Sequence, residues 1–204
     1  MDEQTQLSSE TEAKLSPVGK KYFKFIEFDK DEILIKEIRK HPIGLVFIYL
    51  TGAFVGIMAI ILFWILGFTS FLDNAVDGTG TSASGLRAII ALLGLFLVVG
   101  VFAIMAIQAV LYTNNVIFVT NEKIAQFLYI NIFNRKISQL SLGDIQDVTV
   151  TQKGLLPHVF NYGTLVIETA GEQQNYTFTY IPDPYMNSKY IVGAHEKDLH
   201  KYGN

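Results

Sequence analysis

Residues 43–68 read IGLVFIYLTGAFVGIMAIILFWILGF, a stretch without Asp, Glu, Lys, Arg or His. A second apolar run occupies residues 88–113, and Gln108 is its one strongly polar side chain. A helix needs about 20 residues to cross the roughly 30 Å of hydrocarbon in a bilayer, and both runs are longer than that. Because lipid is the solvent that such segments prefer, the sequence predicts two transmembrane helices, at residues 42–72 and 88–113.

Lys and Arg residues are concentrated on one side of the two predicted spans. The three nearest the entry to the first span and the three that first follow the second are Lys36, Arg39, Lys40, Lys123, Arg135 and Lys136. The connecting loop, residues 73–87, holds two Asp residues and a single Arg. Since basic residues are retained on the cytoplasmic side, both termini are predicted to be cytoplasmic and the loop extracytoplasmic.

The overall composition excludes several classes of protein. Half of the 204 residues are hydrophobic and the mean hydropathy is +0.31, which is too apolar for one ordinary soluble domain. A net charge of −3 argues against nucleic-acid binding, which needs a concentrated basic face. The absence of cysteine excludes disulfides, thiolate metal sites and a cysteine nucleophile.

The region before the first span divides into two by composition. Residues 1–19 are rich in Glu, Gln, Ser and Thr and lack periodic apolar positions, which predicts a disordered tail. Aromatic and charged residues are interleaved through residues 20–41, the juxtamembrane segment. This segment could lie on anionic headgroups or pack against the C-terminal domain, and its five acidic residues weaken the first interpretation.

After Asn114 the apolar periodicity changes from that of a helix to that of strands. Val148 and Val150, for example, alternate with polar residues. Six strands are predicted, at residues 116–119, 123–130, 135–142, 145–151, 162–169 and 175–181. The short gaps between them indicate an antiparallel meander, either curled into a barrel or packed as two sheets. Asp183 followed by Pro184 is a good helix start, so a closing helix is predicted at residues 185–200.

Several stretches resemble membrane-anchored bacterial PH-domain proteins, a type formerly described only as a domain of unknown function. The first is the RKHP entry to the first span, at residues 39–42. Five more follow in the family's order and approximate spacing: VIFVTNEKI at 116–124, NRKI at 134–137, LGDIQDV at 142–148, NYGTLVIET at 161–169 and IPDP at 181–184. The specificity lies in their joint order, and the resemblance covers roughly residues 28–200.

The resemblance implies a membrane α-helical hairpin plus an α+β cytoplasmic domain. That domain, at residues 114–204, would be a PH-like antiparallel split β-barrel of about seven strands, capped by a C-terminal helix. A bacterial cell (inner) membrane is the location that the resemblance implies. The family has no established shared chemistry, so the resemblance supplies neither catalytic residues nor a cofactor.

Gly52 and Gly56 form a GxxxG motif in the first span. Small residues at this spacing let helix backbones approach closely, and packing drives helix association in lipid. The motif could form the seam of a homodimer. Alternatively, its face packs against the chain's own second span near residues 103–109, and this interpretation is favoured.

Four basic side chains are candidates for contact with lipid headgroups. Arg39 and Lys40 lie at the entry to the first span, and Arg135 and Lys136 are the adjacent basic pair of the predicted PH-like domain. That domain has seven basic and eight acidic residues, and its first turn, residues 121–123, offers one Lys beside one Glu. Specific phosphoinositide recognition is therefore disfavoured. Arg135 and Lys136 either contact anionic lipid or are plain surface charge, the second being favoured.

The titratable residues do not form a recognisable catalytic or metal-binding motif. His195 and His200 are five residues apart, on different faces of the closing helix, and His158 is distant in sequence. Asp144 and Asp147 fit a turn and the solvent face of a strand. The sequence has no HExxH, nucleophile elbow or phosphate-cradling loop. We therefore predict no enzyme activity, no metal and no cofactor.

The leading hypothesis is a membrane-anchored interaction protein whose cytoplasmic domain binds a protein partner or self-associates, with the bilayer but no nucleic acid as a further partner. The alternative is a subunit of a small oligomeric channel or transporter. In that case the GxxxG motif would pack the spans together, and Gln108 or Thr51 would line a path. A membrane enzyme is the third hypothesis, and it would need a convergent polar pocket near His158, Asp144, Asp147 and Tyr162.

Overall fold

A computed structural model describes residues 9–28, 32–68, 71–76, 82–169 and 175–202. The chain forms two compact units. The first, which we call the helical unit, is Leu45–Val110. The second, which we call the head, combines Met1–Gly44 with Leu111–Asn204.

The elements of the head come partly before and partly after the helical unit in the chain. The described helices are α1 (Ser9–Lys14), α2 (Pro17–Phe23), α3 (Ile43–Phe68), α4 (Phe71–Val76), α5 (Ala83–Thr113), α6 (Leu155–Val159) and α7 (Pro184–Tyr202). The described strands are β1 (Leu34–Arg39), β2 (Val116–Thr120), β3 (Lys123–Tyr129), β4 (Arg135–Ser141), β5 (Ile145–Thr151), β6 (Tyr162–Thr169) and β7 (Tyr176–Pro182). A 3-10 turn at Leu142–Asp144 links β4 to β5.

Two long helices, α3 and α5, make up most of the helical unit. Each is long and apolar enough to cross a membrane, with a mean hydropathy of 2.6 for α3 and 3.0 for α5 over the most apolar window. Only 11% of that window is buried in α3 and 6% in α5, so their apolar side chains face outward. Side chains of this kind are stable when lipid surrounds them.

The helix bounds differ from the prediction between the two apolar runs. α3 ends at Phe68, α5 begins at Ala83, and α4 occupies part of the stretch assigned to the first span and the loop. The second span was predicted at residues 88–113, directly after Arg87, where the uncharged run begins. In the structure Arg87 Nη2 donates to Asp73 Oδ2 at 2.6 Å. Arg87 therefore lies in the first turns of α5, with its charge partly compensated by Asp73.

The strands of the head form two antiparallel sheets. The first has the order β1-β2-β3-β4 and the second the order β5-β6-β7, and within the described residues neither sheet closes on itself. Of the two predicted arrangements, the strands therefore adopt that of two sheets. α7 packs against β5, β6 and the 3-10 turn.

β1 lies in the segment that was predicted to be juxtamembrane and outside the C-terminal domain. It pairs antiparallel with β2, with Ile38 opposite Ile117 and Arg39 opposite Val116. Its alternation of buried and exposed positions was obscured by charged residues, and its partner strand follows the whole helical unit in sequence. The predicted domain boundary at residue 114 is therefore too late, because the head recruits a strand from before the first span.

The predicted disordered tail also differs from the structure, which shows α1 and α2 where that tail was expected; residues 1–8 lie outside the described residues. Glu37 of β1 holds this segment, since its carboxylate accepts hydrogen bonds from Ser16 N and Ser16 Oγ, both at 2.6 Å. Ser16 Oγ in turn accepts from Gly19 N at 3.0 Å and caps α2. The polar composition of residues 1–19 could not reveal these helices, because the residue that holds them, Glu37, lies on β1.

Two buried clusters stabilise the head. One combines side chains from both sheets and α7, Val119 and Ile191 among them. The other lies between the first sheet and the N-terminal helices, where the Tyr22 ring stacks on the Phe127 ring at 4.1 Å between centroids. All five residues of β2 are buried because both faces of this strand are covered, which explains its continuous apolar sequence.

Candidate functional site

The start of α3 and the end of α5 lie on one edge of the head. Arg39 Nη2 donates to Thr113 O at 2.9 Å, and Tyr112 Oη donates to His41 O at 2.7 Å. A cation at the last carbonyl groups of a helix also compensates the helix dipole. We call this side of the head the attachment edge; it consists of residues 39–44 and 111–115 and the loops beside them.

Aromatic rings hold the second sheet to the attachment edge. The ring centroids are 5.5 Å apart between His41 and Tyr162 and 5.7 Å apart between Tyr162 and Tyr180. His41 N donates to Tyr180 O at 2.6 Å. Tyr180, Asn161 and Asp183 all have positive φ angles, and that of Tyr180 is +58°, which is strained for a bulky residue. Such strain persists where the surrounding contacts enforce it.

Two titratable groups at this edge have shifted pKa values. Burial lowers the pKa of His41 below its ordinary 6.5. His41 Nδ1 accepts a hydrogen bond from Ile43 N at 3.1 Å, which requires that nitrogen to be unprotonated. Burial also lowers the pKa of Lys40. The geometry and the desolvation therefore both favour a neutral His41 ring.

The turn between β3 and β4 also lies at the attachment edge. Tyr129, the last residue of β3, donates through its backbone N–H to Asn115 Oδ1 at 2.7 Å, and Asn115 lies two residues after α5. Arg135, the first residue of β4, is opposite Tyr129. The residues between these strands, 130–134, form what we call the apolar tip.

The apolar tip is held by hydrogen bonds and exposed to solvent. Asn131 Oδ1 accepts from the N–H groups of Phe133 and Asn134 at 2.9 and 2.8 Å. Asn134 O accepts from Ile130 N at 3.0 Å. Phe133 is 97% exposed, and Ile130 and Ile132 are each more than half exposed. A well-bonded turn therefore holds three apolar side chains away from the head.

A second exposed apolar segment, α6, lies at the same edge. Gln152, just after β5, donates through Nε2 to Tyr162 O at 3.0 Å and to Pro157 O at 3.2 Å. These bonds fix α6 beside the Tyr162 ring, which contacts His41. Four large apolar side chains in or directly after α6 are exposed: Leu155, Leu156, Val159 and Phe160. Leu155 is the most exposed of them, at 78%.

The four predicted headgroup-contact residues all lie at the attachment edge. Arg39 is bonded to the end of α5, as described above. Lys40 Nζ lies 5.3 Å from the ring centroid of the last tyrosine of α5. The Arg135 guanidinium lies 5.9 Å from the Phe127 ring centroid, and Lys136 is exposed. The strand register therefore brings together side chains that are far apart in sequence.

The sequence-based prediction did not single out the apolar tip or α6. Residues 131–134 were assigned to a turn and 154–160 to an irregular connection. Apolar pairs within expected turns, Ile132-Phe133 and Leu155-Leu156, were the signal that could have identified them. That both segments share one edge depends on strand register between distant parts of the chain.

A cavity of about 190 Å³ lies between the first sheet and β7. Val116, Leu128 and Phe178 supply apolar lining, and Lys40 and Asn115 supply polar lining. Within the described residues Lys40 makes no hydrogen bond or ion pair, so its ammonium group is a cation without a carboxylate partner. The cavity could hold a small anionic or amphipathic group.

Three of the other titratable residues considered in the sequence, His158, His195 and Asp147, are hydrogen-bonded within the head. His158 Nδ1 pairs with Gly154 O at 2.8 Å and His195 Nδ1 with Leu142 O at 2.6 Å. Asp147 accepts hydrogen bonds from the two residues that follow it. Among the residues that the structure describes, no group of three or more His, Cys, Asp or Glu side chains is placed to hold a metal ion.

The two glycines of the GxxxG motif have different surroundings in the helical unit. A Cβ atom added at Gly52 would lie 2.5 Å from Met105 Sδ. A Cβ atom added at Gly56 would meet no described atom within 4 Å. Gly52 therefore serves the close approach of α5 to α3, whereas Gly56 faces open space.

The model of the bacterial PH domain family matches residues 42–188, well over half of the chain. The chain belongs to the bacterial PH domain family. This confirms the resemblance to bacterial PH domain proteins that the sequence motifs indicated. No curated protein and no solved structure matches the chain. The bacterial PH domain match begins just before α3 and ends within α7, so it leaves out β1 and the N-terminal helices that the head contains.

Proposed function

We propose that this chain is a membrane-anchored, non-enzymatic PH-like protein whose head binds a protein partner, or a second copy of the chain, at the cytoplasmic face of a bacterial inner membrane. In this proposal α3 and α5 cross the bilayer and both termini are cytoplasmic. The two sheets and α7 would form a PH-like split barrel. The apolarity of the two helices, the distribution of basic residues and the family membership support this arrangement.

The outer face of α7 is the observation that carries the protein-binding proposal. The inner face, with Asn187, Ile191 and Ala194, is buried in the head. On the opposite face Tyr185 and Val192 are 56% and 38% exposed. An outward helix face is ordinarily polar, and exposed aromatic side chains are typical of the centres of protein interfaces. Met186 and Tyr190, four residues apart, are exposed beside this face.

The hydrogen bonds of three titratable side chains within the head support the non-enzymatic part of the proposal. His158 and His195 are engaged with backbone carbonyl groups, and Asp147 accepts from its own neighbours. A general acid or base needs a titratable side chain directed at a substrate site. In the part of the chain that the structure describes, these three residues are instead used to order the backbone.

The test is site-specific photo-crosslinking of the full-length protein in native membranes. A photoreactive residue at Val192 is expected to give a discrete crosslinked product, because this position is exposed on the outer face of α7. Gln146, exposed on β5, is the matched control position and is expected to give none. Recovery of an uncrosslinked monomer from both positions would contradict the proposal.

A substitution sharpens the same test. Tyr185→Ser removes an exposed aromatic ring from the proposed interface without disturbing the buried face of α7. We expect the Val192 crosslink to weaken several-fold while the protein remains in the membrane fraction. An unchanged crosslink would show that the Tyr185 ring does not contribute to the interface.

The alternative proposal is a subunit of a small oligomeric channel or transporter. Thr51 and Gln108 are polar side chains exposed on otherwise apolar helices, and they would line a path only in an assembly of several copies. Reconstituted liposomes that show no flux under voltage, tension or an ion gradient would exclude this alternative.

A further inference from the structure

We infer that the attachment edge is itself a lipid-docking surface, in which the apolar tip and α6 insert into the headgroup region of an anionic leaflet. This inference rests on the proposed crossing of the bilayer by those two helices. It concerns a different surface from the outer face of α7.

Connectivity determines which edge of the head approaches the lipid. α3 begins at Ile43 and α5 ends at Thr113, and the residues around both lie at the attachment edge. If these helices span the membrane, this edge is the part of the head that the chain tethers directly to the bilayer surface. Tyr129 and Tyr162 place the apolar tip and α6 at this same edge, through their contacts with Asn115 and His41.

The apolar tip has the chemistry of an interfacial anchor. Phe133 is almost fully exposed, although aromatic side chains gain free energy on leaving water. The hydrogen bonds of Asn131 fix the turn, so insertion would cost little further ordering of the backbone. Aromatic and aliphatic side chains of this kind are favoured at the level of the headgroups.

α6 provides a second, independent apolar segment. It connects β5 and β6 of the second sheet, yet Leu155 and Val159 are exposed at the same edge as Phe133. Two segments that differ in sequence and secondary structure thus share both exposure and position. A lipid surface that meets the attachment edge would therefore contact both segments.

The charges at the attachment edge favour an anionic lipid as the occupant. Arg39, Lys40, Arg135, Lys136 and Lys153 are basic residues in or beside the segments at this edge. Against these basic residues, the described segments at this edge expose one acidic residue, Asp183. Basic side chains near a membrane surface are attracted to anionic headgroups, and Lys40 and Lys136 make no ion pair within the described residues.

The experiment uses the full-length protein, which lacks native cysteine and therefore accepts a single introduced label. An environment-sensitive fluorophore is attached to Phe133→Cys, Leu155→Cys or Ser141→Cys in bilayers of anionic and neutral lipid. Ser141 is exposed at the opposite end of β4 and serves as the matched control. Nitroxide-labelled lipid is expected to quench the first two labels several-fold more than the third, and more strongly when anionic lipid is present.

Two outcomes would overturn the inference. Equal access of a water-soluble quencher to the labels at residues 133 and 141 would show that the apolar tip stays in water. Protection of the label at residue 133 without quenching by lipid would show that a protein, such as a second copy, covers it.

A label on Phe54→Cys, an exposed position in the middle of α3, separates this inference from the proposed function. Lipid quenching at residue 54 without quenching at residue 133 would leave the membrane anchor intact and remove the docking surface. Absence of quenching at residue 54 would instead remove the anchor on which both depend.

Discussion

The turns at the two ends of the first sheet differ in whether their side chains have partners within the head. At the end remote from the attachment edge, which we call the distal edge, the β2–β3 turn closes on polar partners. Thr120 is fully buried, and its Oγ1 donates to Glu32 Oε1 at 2.6 Å and accepts from Lys123 N at 3.0 Å. At the attachment edge the apolar tip is also hydrogen-bonded, but Phe133 is left in solvent. The distal turn is complete within the chain, whereas the apolar tip lacks an apolar partner in the described head.

This difference indicates which substitutions should change stability and which should change binding. A turn whose polar groups are paired inside the protein contributes to the free energy of unfolding. A side chain that is exposed in the head contributes little to the free energy of unfolding. It contributes instead to the free energy of binding when a partner or a bilayer covers it.

The largest expected effect is that of Lys123→Met at the distal edge. Lys123 Nζ lies 3.0 Å from Glu32 Oε2, and the Glu32 side chain is fully buried. Removing the cation takes this ion pair away from a buried carboxylate, which should lower the free energy of unfolding by about 3 kcal/mol. Denaturant unfolding of the full-length protein in detergent measures the change. The double variant Lys123→Met, Glu32→Gln should recover part of the loss, and an unchanged single variant would refute the argument.

A smaller loss is expected for Thr120→Val. This change keeps the shape of the side chain but removes the hydroxyl that accepts from the N–H groups of Glu122 and Lys123. The free energy of unfolding should fall by about 1–3 kcal/mol because buried polar groups lose their partner. Thr120→Ser, which retains the hydroxyl, is the control. Equal unfolding midpoints for the Val and Ser variants would argue against the hydrogen bonds as the cause.

At the attachment edge, a pH-dependent loss of stability is expected from His41. Burial lowers its pKa in the folded head, so below 6.5 the unfolded chain binds more protons than the folded one. The His41 contribution should therefore be complete above this value and decline as the pH falls through it toward the folded pKa. Unfolding midpoints of the wild type and His41→Asn, compared between neutral and mildly acidic pH, measure the difference. Identical slopes for the two proteins would contradict the expectation.

The smallest expected effect on stability is that of Phe133→Ser. Because Phe133 is 97% exposed, the free energy of unfolding in detergent should change by less than about 0.5 kcal/mol. The quenching of a label at residue 155 by nitroxide-labelled lipid should nevertheless fall, since one of the two apolar contacts is removed. A large loss of stability in detergent would show that the apolar tip is part of the packed head and not a free anchor.

Local sequence pattern predicted some elements closely and others not at all. β5 and β6 have the predicted bounds, and α7 begins at Pro184, one residue before the prediction. The pattern succeeds there because alternation and helix-start signals are local. It did not identify β1 or α2, whose order depends on contacts of Ile38 with β2 and of Glu37 with Ser16. The four basic candidates were listed from charge alone, and their common location required the register of β1–β4.

Sequence alone was enough to establish that two helices are apolar enough to cross a bilayer, that the region after Asn114 contains short antiparallel strands, and that the chain is a bacterial PH domain protein. These properties follow from composition, periodicity and motif order, which do not depend on distant contacts. The tertiary structure alone decided that β1 completes the first sheet and that the apolar tip and α6 share one edge of the head. Strand pairing across the helical unit sets the first, and the contacts of Tyr129 with Asn115 and of Tyr162 with His41 set the second. Local sequence does not reveal these contacts, because they join residues of different elements.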